Sequence, residues 1–195
     1  MYMTIQQIHD RLKEVLSPKR FKHSLGVMET AVKLAAQYGV DAKKAELAGL
    51  LHDCAREMAV EDILKICRQN NIKMDDISLM QPKLLHGPAG SIVAREVYGI
   101  EDEEILSAIY CHTTGRKNMS TLDKIIFLAD YIEPGRDFPG VDKVREAVFE
   151  DLDKGMVVSL MGIIRHLVEK RGLIQIDTID TWNFIINSYR EKEIL

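Results

Sequence analysis

Apolar residues recur along this chain at intervals of three and four, the spacing that gathers them on one face of an α-helix. Ile5, Ile8, Leu12 and Val15 make the first such row, behind Thr4 and Gln7, which are spaced as a capping box. Ser17-Pro18 predicts the start of a second helix, with Phe21, Leu25, Met28, Val32 and Ala35 on its apolar side and Gly39 as its stop. Asp41 caps a third that runs to about His52, and residues 61–70 read as a fourth. A turn-rich segment, 80–86, precedes Gly87-Pro88, which can open a helix ending at Gly99. Residues 101–112 follow, with acids in the first turn as the helix dipole prefers. Ser120 with Asp123 predicts the cap of a helix through Ile132, stopped by Pro134-Gly135. Residues 141–171 read as one long helix or two, broken near Gly155 and closed by Gly172. A last amphipathic stretch, 178–189, carries Trp182, Ile185 and Ile186. The one short strand candidate is 173–176. With no repeat and no linker-like tract, the pattern predicts one all-α domain over residues 1–195.

Composition removes several function classes. At 195 residues, 46% hydrophobic and 29% charged, the chain is long enough to bury a core without disulfides. Its net charge of −4 argues against a basic nucleic-acid binder. The longest stretches free of Asp, Glu, Lys and Arg are 84–94 and 105–115. Each is shorter than the roughly 20 residues of a membrane-spanning helix, so no membrane partner is expected. MYMTIQQIHD has neither the basic start nor the apolar core of a secretory signal. Three cysteines, Cys54, Cys67 and Cys111, show no CxxC spacing, which suits a reducing cytoplasm.

The histidines point to chemistry. His23, the pair His52-Asp53, His86 in LLHGP and His112 in CHTTG each fall on a different predicted helix or its end, and Asp130 lies within IIFLADYIEP. Their separations suit residues on successive helices, so a bundle can aim all of them at one point. Imidazole and carboxylate suit iron, manganese, zinc or nickel, and a carboxylate can bridge two ions. A histidine on an apolar face is, taken alone, most often a hydrogen-bonded core residue. Asp130 resists that reading, because a charge among Phe127, Leu128, Tyr131 and Ile132 costs several kcal/mol unless paired or metal-bound. His9 and His166 lie in polar surroundings and are expected on solvated faces. Cations stand three or four residues from the four motif histidines: Arg20, Arg56, Lys83 and Arg116. Gly87-Pro88-Ala89-Gly90 adds a candidate anion-binding helix N-terminus beside His86. Metals with cations point to a phosphorylated substrate.

The ordered set His, His-Asp, Asp resembles the HD superfamily of metal-dependent phosphohydrolases, and the two further histidines resemble its dinuclear branch. LLHDCAR, LLHGPAG, CHTTGR and DKIIFLADYIEPGRDFPGVDKVRE resemble more narrowly the bacterial YqeK-type family of symmetrical bis(5′-nucleosyl)-tetraphosphatases, from about Arg20 to Gly172. The resemblance implies an all-α HD-domain helical bundle that hydrolyses diadenosine tetraphosphate to two ADP. It carries the family's iron ligands onto His23, His52, Asp53, His86, His112 and Asp130. Iron is the metal implied, with manganese or cobalt as alternatives of the same ligand chemistry. Nucleotide contacts fall on Lys83 and Arg136, and further on Arg20, Thr113, Thr114, Gly115, Arg116 and Arg145, with His23, His112 and Asp130 also facing the substrate.

The catalytic expectation follows: Asp53, His86 and His112 act through a hydroxide held by two divalent ions, while Lys83 and Arg136 offset phosphate charge. The partners implied are a dinucleoside polyphosphate or ADP, with no nucleic acid and no membrane; an oligomer is compatible. Two other readings stay open: an HD phosphohydrolase for another nucleotide, and a metal-dependent nucleotide-binding module without turnover.

Overall fold

The computed structural model describes residues 3–194, without the side chains of residues 189 and 191–194. Among the described residues the chain is helical with no strand. α1 (Ile5–Val15) begins at the expected box, Thr4 accepting from the Gln7 N–H and Gln7 answering at the Thr4 N–H. α2 (Pro18–Tyr38) starts behind Ser17 and stops at Gly39. α3 (Ala42–Leu51) is capped by Asp41, α4 is Val60–Gln69, and α5 is the single turn-and-a-half Asp76–Met80. A 3-10 turn, Pro82–Leu85, runs directly into α6 (His86–Glu96). α7 (Glu103–Cys111), α8 (Thr121–Ile132), α9 (Val141–Glu150), α10 (Leu152–Glu169) and α11 (Ile176–Ile194) complete the bundle.

Several expectations need correction. The face of α2 most deeply buried carries Val27, Ala31, Leu34 and Ala35, while Phe21, Leu25 and Met28 are only partly covered. α2 packs against both α3 and α8, so two of its faces are apolar and the more prominent row is not the more buried one. The break expected near Gly155 lies at Asp151, whose carboxylate caps α10 at the Lys154 N–H, 2.8 Å away. The segment 173–176 makes no strand; Leu173 and Ile176 are exposed on the approach to α11. Gly87, Ala89 and Gly90 are buried inside α6, and the 3-10 turn leads straight into that helix, so no open N-terminus faces solvent beside His86.

The main core joins α1, α2, α3, α7 and α8, with α10 closing it through Met156 and Leu160; a smaller apolar cluster, Ala55, Ile63, Cys67, Leu85 and Ala89, sits beneath α4 and α6. α3 packs on α2, α7 and α8, which brings the ends of four helices to one place. Among the described residues no helix is long and apolar enough to cross a membrane.

Candidate metal centre

Five of the six expected ligands sit at or near helix ends. His52 and then Asp53 follow the last residue of α3, His112 follows that of α7, His86 opens α6, and Asp130 lies in the last turn of α8. A helix end leaves carbonyls without a backbone partner. At the ends of α3 and α7 imidazoles take them up, His52 Nδ1 donating to the Gly49 carbonyl at 2.8 Å and His112 Nδ1 to Ile109 at 2.7 Å, while His86 Nδ1 shares the Lys83 carbonyl, 2.7 Å away, with its own backbone N–H. In each case the acceptor lies three residues earlier. His23, in the interior of α2, has no such free carbonyl; its Nδ1 donates instead to the Glu133 carboxylate, 3.1 Å away.

A carbonyl or carboxylate oxygen only accepts, so the neutral form of each ring that satisfies it carries its hydrogen on Nδ1 and presents a lone pair at Nε2. Those lone pairs converge. His23 and His52 Nε2 lie 3.2 Å apart, and His86 and His112 Nε2 3.0 Å apart. His23 Nε2 also meets Asp130 Oδ1 at 3.0 Å, and His86 Nε2 meets Asp53 Oδ1 at 3.0 Å. Acceptor facing acceptor at these distances is reconciled only by protons or by metal ions between them. A neutral Nε2 whose ring is oriented by a second hydrogen bond is the usual metal-ligand arrangement. The donor set therefore fits divalent metal, and the donor atoms of His23, His52 and Asp130 all lie within 4.8 Å of one another, as do those of His52, Asp53 and His112.

Asp53 stands between two groups. Its Oδ2 faces His52 at 3.4 Å and His23 at 3.8 Å, while Oδ1 faces His86 at 3.0 Å and His112 at 3.6 Å. Burial alone would raise its pKa, but the surrounding histidines outweigh it and hold the carboxyl well below its ordinary range. Asp130 behaves alike: burial opposes ionisation, and its contacts with His23, His52 and Arg136 overcome it. Burial pushes His86 the other way, toward the neutral ring a metal requires.

The expected substrate residues divide by position. Arg20 donates to Asp53 Oδ2 at 2.7 Å, and Arg136 binds the Asp130 side chain and, through Nε, its carbonyl at 2.8 Å. The Thr113 hydroxyl touches His112 and His86 Nε2 at 3.1 and 3.2 Å. These three belong to the cluster. Lys83 is exposed, and its carbonyl rather than its ammonium meets His86. The Thr114 carbonyl faces Thr181, and Gly115 holds a left-handed turn (φ +70°) against that same threonine. Arg116 lies on Asp123 at 2.9 Å and Ser107 at 2.6 Å, and Arg56 on the Lys83 carbonyl at 3.3 Å. Arg145 fastens the Ile132, Glu133 and Arg136 carbonyls and pairs with Asp142, so it shapes the loop that delivers Arg136. His166 is exposed as expected, whereas His9 is half-buried and packs edge-on to Phe21. Sequence reasoning missed Glu133, the residue that ends α8 in an extended conformation and so falls outside the helix's periodic pattern.

Residues 20–135 match the HD domain family. A protein of Halalkalibacterium halodurans named symmetrical bis(5′-nucleosyl)-tetraphosphatase is 46% identical over 175 residues, 90% of this chain and 93% of its own. One of the same name from Staphylococcus aureus is 41% identical over 194 residues, 98% of each chain. A crystal structure from Clostridium acetobutylicum, described as a predicted HD superfamily hydrolase involved in NAD metabolism, is 47% identical and superposes with a TM-score of 0.94, covering 96% of this chain and 100% of that one.

Proposed function

As this chain belongs to the HD-domain family, we propose that it is a symmetrical bis(5′-nucleosyl)-tetraphosphatase, hydrolysing diadenosine tetraphosphate to two ADP at a centre of two divalent metal ions. The observation that carries this reading is Asp53, whose two oxygens face two separate pairs of imidazole nitrogens. The relatives that bear this name align over nearly the whole chain.

His23, His52 and Asp130 would hold one ion and His86 and His112 the other, with Asp53 shared. Iron is our first assignment, and manganese or cobalt suits the same nitrogen and oxygen donors. When bound, the metal supplies Lewis acidity, lowering the pKa of a water and drawing charge from a phosphoryl oxygen. The chain's own residues do the rest. Arg20 and Arg136, already on two of the carboxylates, bind the phosphate oxygens and offset their growing negative charge. The Thr113 hydroxyl can donate to a phosphate oxygen at the His86–His112 end. We assign Lys83 to the phosphates of the same end, since it lies on the turn that positions His86. ADP leaves as a stable anion, so the departing oxygen needs no positioned proton donor. Three buried free thiols suit the reducing cytoplasm as the working compartment.

The test is product identity. Metal-loaded protein given diadenosine tetraphosphate should yield ADP as the sole nucleotide product on anion-exchange chromatography. ATP with AMP, or no turnover, would defeat the proposal.

A further inference from the structure

At one end of the centre the Nε2 atoms of His86 and His112 meet, and the Thr113 hydroxyl touches both, at 3.2 and 3.1 Å. Short pieces of chain carry these groups. His112 is followed at once by the turn 113–115, closed by the Gly115 N–H on the Cys111 carbonyl at 2.8 Å. His86 is preceded by α5 and the 3-10 turn, of five and four residues. Helical pieces this short are not stable by themselves and take their position from what they pack against.

The start of α11 meets both pieces. Thr181, fully buried in the second turn of α11, donates to the Asp177 carbonyl at 2.6 Å and lies 3.4 Å from the Thr114 carbonyl. Gly115, at φ +70°, is pressed against it so closely that a Cβ would fall 2.6 Å from Thr181 Oγ1 and 2.7 Å from its Cγ2. Gln175, the residue before α11, is 9% exposed and uses its whole amide. Its Nε2 donates to Asp75 Oδ2 at 2.9 Å and Ser78 Oγ at 3.1 Å, and its Oε1 accepts from the Asp177 N–H at 2.9 Å. Asp75 in turn caps α5, accepting from the Ser78 N–H at 2.7 Å. Backbone bonds continue from there, Gln81 on Ile77, Leu84 on Gln81 and His86 on Lys83. A buried polar network whose members are all bonded rigidifies what it joins. At the other end of the centre the supports are different: Glu133 holds His23, and Arg136 holds Asp130.

We propose that Gln175 and Thr181 are positioning residues for the His86–His112 end of the centre. The first turns of α11 clasp α5 and the 113–115 turn together and so set how the two imidazoles and Thr113 face one another, while the His23–Asp130 end does not depend on them. The inference rests on the reading of a centre for two metal ions and adds that separate parts of the chain support the two.

The test is a competition titration of metal-free protein with manganese(II) against a chromophoric chelator. Thr181→Ala removes the wall against Gly115 and should weaken one ion about tenfold, the lower end of the loss typical of an outer support, with the other within about twofold of wild type. Gln175→Ala should weaken the same ion and Glu133→Ala the other, so Thr181→Ala combined with Glu133→Ala should weaken both. Thr181→Val keeps the shape of the wall and should restore most of the affinity. Circular dichroism matching wild type guards against a folding defect, and a general loss of stability would weaken both ions alike. Both ions weakened alike in Thr181→Ala and in Gln175→Ala, or neither weakened in either, would overturn the inference while leaving the two-ion centre intact. A wild-type protein that takes up a single ion would overturn the two-ion reading itself.

Discussion

Glu133 offers the sharpest test of how the centre is held together. Its carboxylate is 5% exposed, accepts from His23 Nδ1 at 3.1 Å and also takes the Gly135 N–H. Glu133→Ala leaves His23 Nδ1 without an acceptor, and the ring then has no reason to keep its hydrogen there rather than on Nε2. A hydrogen on Nε2 removes the lone pair that faces Asp130 and His52. Loss of such an outer hydrogen bond typically weakens metal affinity 10- to 100-fold, about 1.4–2.8 kcal/mol. Glu133→Gln retains one acceptor oxygen for two donors and should fall between. Gly26 gives an independent handle on the same group, because a Cβ there would lie 2.6 Å from Glu133 Oε2. Gly26→Ala should therefore displace the carboxylate, and Gly26→Ala with Glu133→Ala should cost clearly less than the two added together. The assay is a competition titration of metal-free protein against a chromophoric chelator, with circular dichroism confirming the fold. Affinity of the Ala variant within about twofold of wild type, or strictly additive losses, would refute the reasoning.

Arg116→Ala should destabilise the protein by about 1–2 kcal/mol, since the fully buried Asp123 keeps Ser107 and the Ser120 N–H as donors but loses its ion pair. Thermal melting should show a fall of about 2–8 °C with metal content unchanged, and an unchanged melting temperature would contradict the structural role. Metal-free protein should lose stability in two stages on acidification. His86 is held neutral, so the unfolded chain takes up a proton below about pH 6.5 that the folded one declines. Asp53, Asp130 and Asp75 are depressed, so their contribution, full above about pH 4, drains away as pH falls further. A melting temperature that rises between pH 8 and pH 4 would be the wrong sign. The thiols should be inert: burial and the Asp53 charge push Cys54 up to about 12, and burial raises Cys111 and Cys67. A disulfide reagent at pH 8 should therefore label them only after denaturation.

Much of the architecture was legible because caps and breakers are local. Thr4, Ser17, Asp41 and Ser120 begin helices through contacts within three residues of themselves. The buried face of α2 was not, because two apolar rows compete and only the packing of α3 and α8 chooses between them. Asp151 ended a helix that Gly155 was expected to break, since a side-chain cap specifies a boundary and a glycine merely weakens a helix. The five residues of α5 are too short to carry a periodic signal. At the centre, order along the chain was enough to single out the histidines, and the cluster gathers all six expected donors. The flanking cations were less legible. A spacing of four implies a shared face only within one helix, and Arg116 lies beyond the end of α7, past the turn at Gly115, so it reaches Asp123 instead. Glu133 had no pattern to betray it, because its role is set by where His23 lies on α2, more than a hundred residues earlier.

The central claim is that Asp53 joins two metal sites, and the number of ions bound per chain tests it most directly. Elemental analysis of protein saturated with iron or manganese under anaerobic conditions and freed of excess by gel filtration should give two ions per chain, and fewer than two for Asp53→Ala. One ion per chain in the wild-type protein, or two retained in the Asp53→Ala variant, would contradict the account.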